Sequence, residues 1–463
     1  MYIKFDLKKL TTNYFIIGII SIVVLFFSCS KNDSGVSTPP PPPPTPPPSR
    51  EATTPSAEVM MQSFYWDVTP GGVWWDNIKS KLDSWKTAGI TAVWLPVISK
   101  GESGPFSMGY DPYDYFDFGQ YNQKGTTETR FGSYTELKSL LANAKSKGFK
   151  LIADIIINHN SGGDLEFSPY SQKSYYTKFT PLSGKFNRNY EDFHPSAVDV
   201  KDEDQFGGMP DLCHNVTHVQ DWLWKRTDGV AKFYRDSLGF DGWRFDFVKG
   251  FSPNVVKSWL AEVGGISIGE FFDGNVTLVN NWCNAANSGA FDFPLLFAMK
   301  DAFDGNNLSK LDGAGLISVN PSRAYTFVAN HDIDQMSSNA KLKAYAFILT
   351  SEGTPFIFYN DYELQLDKAK LNTLINIRKT LAAGSTTKLV VSTTEYIFRR
   401  NGTPGLIAYF NGGPTDTQKK VQTTWANTVL KDYTGSNPDV TTDASGYATI
   451  SCKWNSYSIY APK

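Results

Sequence analysis

The sequence predicts an α/β protein: a (β/α)8 (TIM) barrel with an irregular insertion after its third strand and a C-terminal antiparallel β-sandwich. Three observations carry this. Eight short β-branched or aromatic runs recur between residues 59 and 359, most separated by segments with apolar residues at helical spacing. The runs are mostly apolar rather than alternating, as in a sheet covered on both faces. After about Leu381 the texture changes to short strands punctuated by Gly, Asn, Pro and Asp, which fits an antiparallel sandwich.

The eight runs are VMMQSFYW from Val59, ITAVWLP at 90–96, FKLIADIIINH at 149–159, GFDGWRFDF from Gly239, ISIGEFF at 266–272, AFDFPL at 290–295, AYTFVANHD at 324–332 and TPFIFY at 354–359. Helical spacing marks WWDNIKSKLDSWKTAG, SYTELKSLLANAKSKGF, VQDWLWKRTDGVAKFYRDSLG and AKLKAYAFILTSEG. Residues 160–218 have no helical period and are rich in Gly, Asp, Asn, Ser and Tyr. A structureless loop of that length is improbable, so they are expected to form a small inserted domain. The barrel is accordingly expected over 57–159 and 219–380, and the sandwich over 381–463.

The N-terminus is not part of this fold. Lys4, Lys8 and Lys9 precede an apolar run from Tyr14 to Phe27, followed by Cys29. A basic region and a short apolar core mark residues 1–28 as an export signal. The run falls below the ~20 residues that span a bilayer comfortably. Cysteine at the cleavage position resembles a bacterial lipoprotein signal, in which Cys29 becomes the acylated first residue; an uncut signal anchor is the other reading. Residues 29–56 then form a tether, with nine prolines among residues 39–48. In polyproline II these span roughly 31 Å. A docking segment for a polyproline-binding domain is the alternative. The expected place is the cell envelope, attached to the outer membrane by the lipid anchor and facing the surface or the periplasm. The formal charge of −2, with signs well mixed, gives no electrostatic case for nucleic acid. Cys213, Cys283 and Cys452 are too scattered and odd in number for a disulfide framework.

The chemistry is expected at strand ends, where barrels place it. In GFDGWRFDFVKG, Arg244 and Asp246 share a face of one strand. They are either a mutually satisfying ion pair or a carboxylate held ionised and aimed by a cation. Asp154, Asn158 and His159 close the third strand, Glu270 the fifth, and Asn330, His331 and Asp332 the seventh. Three carboxylates without a dense His/Cys cluster argue against zinc hydrolysis and fit cleavage of a glycosidic bond. Asp246 would attack the anomeric carbon and Glu270 would carry the proton, with Phe271 and Phe272 supplying an apolar setting. Asp332 would stay ionised and favour developing positive charge. Neighbouring strands for Asp246 and Glu270 suit the about 5–5.5 Å separation of a retaining enzyme.

Five motifs in order, DIIINH at 154–159, MPDLCH at 209–214, GWRFDFVKG at 242–250, GEFF at 269–272 and FVANHD at 327–332, give the chain a resemblance to the alpha-amylase family of glycoside hydrolases. It resembles most the compact bacterial, archaeal and plant alpha-amylases. The resemblance implies Asp246 as nucleophile, Glu270 as general acid/base, Asp332 as third carboxylate and Arg244 as the group orienting Asp246. It implies sugar contacts from His159 and His331, a stacking ring from Tyr110 and a leaving-side contact from Lys249. It implies a structural Ca2+ held by Asn158, Asp202, Asp211 and the Gly250 carbonyl, with Asp204 as a further carbonyl donor. His194 and Cys213, with Asp199, resemble a second, Zn2+-like site; packing residues are the alternative reading. Phe272 departs from the family's usual tryptophan, so a subsite contact there is expected to be weaker. The activity implied is endo-hydrolysis of α-1,4-glucan by a monomer. A transglycosylase or debranching enzyme, an inactive glucan-binding lipoprotein and a stalked adhesin are the alternatives, separated by assaying reducing ends released from starch.

Overall fold

The computed structural model describes residues 58–201 and 206–463, so Cys29, the tether, Asp202 and Asp204 lie outside the described residues. The eight apolar runs become eight parallel strands: β1 (Met60–Gln62), β2 (Ala92–Trp94), β3 (Lys150–Ile155), β4 (Gly242–Phe245), β5 (Ile266–Gly269), β6 (Gly289–Phe291), β7 (Ala324–Thr326) and β8 (Thr354–Phe358). They pair in chain order, and β8 closes on β1 to complete the barrel. The strands are buried along almost their whole length, which explains why they read as unbroken apolar runs.

Outside them run α1 (Trp74–Ala88), α2 (Tyr134–Ser146), α3 (Val230–Asp236), α4 (Pro253–Val263), α5 (Val276–Ala286), α6 (Phe293–Phe303), α7 (Ser338–Thr350) and α8 (Lys368–Thr380). Their starts follow sequence chemistry. Ser133 and Glu136 form a reciprocal capping box on α2, and Asn275, Asp292, Ser337 and Asp367 cap α5, α6, α7 and α8. The helical pattern from Val219 to Gly239 is interrupted. Thr217–Gln220 leads into a widened turn, Asp221–Lys225, and α3 starts afresh from Gly229. A Cβ at Gly229 would sit 2.8 Å from the Trp222 carbonyl, so only glycine lets the chain restart this close.

The insertion after β3 holds a hairpin, Asp164–Ser168 with Lys173–Lys178, and returns to the barrel through the His159–Asp211 bridge. The C-terminal region is an antiparallel sheet of β9 (Thr386–Val391), β10 (Glu395–Arg400), β11 (Leu406–Asn411), β13 (Val429–Asp432), β14 (Val440–Thr441) and β16 (Ser456–Pro462). A two-stranded ribbon of β12 (Thr417–Gln422) and β15 (Tyr447–Cys452) lies against it. Ile407, Tyr409, Val421, Leu430 and Ile450 fill the core between sheet and ribbon, while Phe398 and Phe410 join the barrel core through Phe347 of α7. The three described cysteines are free and buried.

Candidate active site

Register brings the charges together. Asp154 on β3 stands opposite Arg244 on β4, and β4 pairs with β5, whose end carries Glu270. The Arg244 guanidinium is completely buried. Its Nη1 donates to Asp154 Oδ1 and to Asp246 Oδ1, both at 2.8 Å, and its Nη2 lies 3.0 Å from Glu270 Oε1. Arg244 and Asp246 are therefore an ion pair that also fixes where the carboxylate points.

Glu270 has a second tie. Phe247, immediately after Asp246, adopts a left-handed backbone (φ 44°), and its N–H donates to Glu270 Oε2 at 3.0 Å. Such a conformation is unfavourable for a side chain that large, and here it turns the chain so that the amide meets the carboxylate. Phe271 and Phe272, which follow Glu270, have aromatic partners of their own. Phe272 packs on Phe293 and Phe297, and Phe271 on Trp282.

Three carboxylates facing one cation in a dry site cannot all ionise cheaply. Burial pushes the Asp246 carboxyl well above the usual range; Arg244 opposes the shift, and the charges of Glu270 and Asp154 add to it. Asp246 therefore holds a proton more readily than an ordinary aspartate. Desolvation also raises Asp332, again opposed by Arg244.

Asp154 was visible in the sequence only as a strand-end acid, yet it organises the floor of the site. It accepts hydrogen bonds from Trp94 Nε1 at 3.1 Å and Tyr110 Oη at 2.7 Å besides that from Arg244. The Tyr110 ring lies parallel to His331, centroids 5.2 Å apart, and near Trp66 at 5.9 Å. Trp66 is 52% exposed and was assigned no role from sequence. Its signal was an aromatic residue just beyond a strand end.

His331 is neutral, its pKa pushed down to about 3 by burial and by Arg244. The Gln62 amide donates to His331 Nδ1 at 2.9 Å, so the proton sits on Nε2, which faces Asp332 Oδ2 at 3.2 Å. Asp332 is the open carboxylate of the set, 43% exposed. Lys249, expected beside the leaving sugar, reaches Asp273 Oδ2 at 3.1 Å and so links the loops that follow β4 and β5.

His159 lies behind the ring of sugar-facing candidates. It is wholly buried, its Nε2 donates to the Tyr110 carbonyl at 3.0 Å, and its ring lies under Phe206 at 4.6 Å. In this arrangement it braces Tyr110 from behind. With Nε2 protonated, Nδ1 accepts from Asn158 Nδ2 at 3.5 Å, and this turns Asn158 Oδ1 away. That oxygen is buried without a hydrogen-bond partner, and a Cβ on Gly250 would lie 2.0 Å from it. A hard, unsatisfied oxygen beside a side-chain-free backbone and near Asp211 is a donor set suited to Ca2+.

The residues expected at the second metal have the following partners. Cys213 Sγ is hydrogen-bonded to Ser196 Oγ at 3.2 Å, Asp199 accepts from Asn215 and from the Lys201 amide, and His194 Nε2 faces Asp211 at 3.9 Å. No group of three or more His, Cys, Asp or Glu able to hold a metal occurs among the described residues. Cys213 and Asp199 are thus engaged with other partners, while His194 Nδ1 is buried without a hydrogen-bond partner.

A closed parallel barrel that gathers buried carboxylates around one guanidinium at its strand C-terminal ends has the construction of a barrel glycoside hydrolase. The alpha-amylase catalytic-domain profile matches residues 62–259, and the alpha-amylase C-terminal profile matches residues 406–461. The chain belongs to the alpha-amylase family and is a glycoside hydrolase of that family. It is 26% identical to the glucan 1,4-alpha-maltohexaosidase of Bacillus sp. (strain 707), over 87% of this chain and 92% of that one. Against the cytoplasmic alpha-amylase of Escherichia coli the figures are 25%, 87% and 98%. The Geobacillus thermoleovorans alpha-amylase solved with acarbose shares the fold at a TM-score of 0.68 and 18% identity, covering 90% of this chain and 99% of that one.

Proposed function

We propose that the protein is a retaining endo-hydrolase of α-1,4-glucosidic bonds in starch, glycogen and maltooligosaccharides. The observation that carries this is the Asp246–Glu270 pair, divided between the two nitrogens of one buried guanidinium and tied again through the Phe247 amide. Carboxylates held by one such fork suit the short spacing of a retaining mechanism better than the wider gap that accommodates a water in inverting enzymes. Asp246 attacks the anomeric carbon as Glu270 protonates the departing oxygen. Glu270 then takes a proton from water, which displaces Asp246 from the glycosyl ester. Asp332 and His331 Nε2 grip the ring hydroxyls, and Tyr110 stacks beneath the ring, with the exposed face of Trp66 beside it. Lys249 lies on the leaving side. Names of relatives such as the Bacillus maltohexaosidase and the Geobacillus stearothermophilus alpha-amylase support an α-1,4-glucan as substrate.

The test uses maltoheptaose and proton NMR of the first products. An α-anomer is expected, and a β-anomer would overturn the reading. A 5-fluoro-glucosyl fluoride should label the peptide containing Asp246. Oligosaccharides longer than the substrate as main products would instead indicate transglycosylation.

Asn158, Asp211 and the Gly250 carbonyl would hold Ca2+, with Asp202 and Asp204 as further donors. Bound there, the ion supplies a fixed double positive charge that ties the insertion to the barrel and takes no part in bond cleavage. Acylation at Cys29 would keep the enzyme at the cell envelope, where released oligosaccharides meet the cell's importers. The Cys29→Ala protein should leave the detergent phase for the aqueous phase on Triton X-114 partitioning; retention in detergent would refute lipid anchoring.

A further inference from the structure

Asp332 lies on a tight turn whose far end is pinned from outside the site. Asn330 Oδ1 accepts from the Asp332 and Ile333 amides at 3.0 and 2.8 Å, and Asn330 N donates back to Ile333 O at 3.0 Å. The next residue, Asp334, ion-pairs with Lys341 in the first turn of α7. Lys341 is buried. It also contacts Asp361, and it donates to Gln365 Oε1 at 3.0 Å. Asp361 is itself completely buried and held by Tyr345 Oη at 2.7 Å, and Tyr345 Oη accepts from the amide of Phe358, the last residue of β8.

We propose that Lys341 is a positioning residue for Asp332, acting through Asp334, so that the turn after β7 is registered against α7 and the end of β8. This rests on the role given to Asp332 above. Asp361 and Gln365 already compensate the buried ammonium. Asp334 is 32% exposed and has water available, so its own solvation does not call for a buried lysine. What the additional ion pair achieves is to hold the turn. The opposite end of the turn is held by Gln62 through His331, which leaves the carboxylate between two fixed points.

The experiment compares Asp334→Ala, Lys341→Met, their double variant and Asp332→Asn in the full chain. It measures kcat and KM on maltoheptaose, the dissociation constant for acarbose, and the unfolding midpoint. A loosened carboxylate predicts that Asp334→Ala loses about 10- to 100-fold in kcat, since misplacement by an ångström costs on that order. KM and unfolding midpoint should change little, and acarbose affinity should fall in step with kcat/KM. The double variant should be no worse than Lys341→Met. An Asp334→Ala enzyme with wild-type kcat and acarbose affinity would overturn the proposal, and this variant decides alone if Lys341→Met fails to fold. Asp332→Asn with wild-type kcat would instead refute the role of Asp332, so the two failures are distinguishable.

Discussion

At the scale of the residue, the site is a problem of charge economy that Asp154 helps to solve. Its negative charge raises Asp246 while its hydrogen bonds hold Arg244, Trp94 and Tyr110. Replacing Asp154 by Asn removes the like charge and leaves Arg244 freer to favour ionised Asp246, so the pKa of Asp246 falls. In the proposed mechanism Asp246 must be ionised to attack, so the acid limb of kcat/KM should move to lower pH, with a lower plateau as Tyr110 loses its anchor. A pH–rate profile on maltoheptaose checks this, and a limb that stays put or moves upward would contradict it. Asp246, Glu270 and Asp332 could be picked out as candidates from the sequence because acids at strand ends are few and their chemistry is narrow. The bond from His159 Nε2 to the Tyr110 carbonyl was not legible, because its partner is a backbone group from another loop, which no side-chain pattern announces.

At the scale of the element, helices were legible where apolar residues recur at helical spacing, as in SYTELKSLLANAKSKGF, and α2 begins there on the Ser133–Glu136 capping box. Breaking the capping box with Ser133→Ala should cost about 1 kcal/mol, read from urea unfolding. The Val219–Gly239 pattern misled because periodicity records which residues face inward and not whether the backbone runs on between them. The C-terminal sheet is an integral wall of the molecule. Phe410 is completely buried against Phe347 and Phe398. Phe410→Ala should destabilise by about 3–5 kcal/mol with little change in KM. A loss below 1 kcal/mol would show that the sheet and the barrel are not one cooperative structure.

At the scale of the whole molecule, the insertion and the barrel meet at the His159–Asp211 bridge, beside the unsatisfied oxygen of Asn158. If Ca2+ binds there, EGTA should lower the unfolding midpoint and added Ca2+ restore it, by about 2.7 kcal/mol at a hundredfold excess over Kd. Asp211→Asn should abolish most of that response, and a midpoint indifferent to EGTA would refute the site. The amino-acid sequence by itself determined which segments are strands, their order and the acids at their ends, because burial on both faces and strand length are local properties. Only the tertiary structure decided that Asp154, Asp246 and Glu270 share Arg244, that His159 serves Tyr110, and that Lys341 reaches Asp334 and Asp361. Those relations depend on barrel register and closure, which bring together residues up to 116 positions apart, Asp154 and Glu270 among them, and no local pattern encodes that distance.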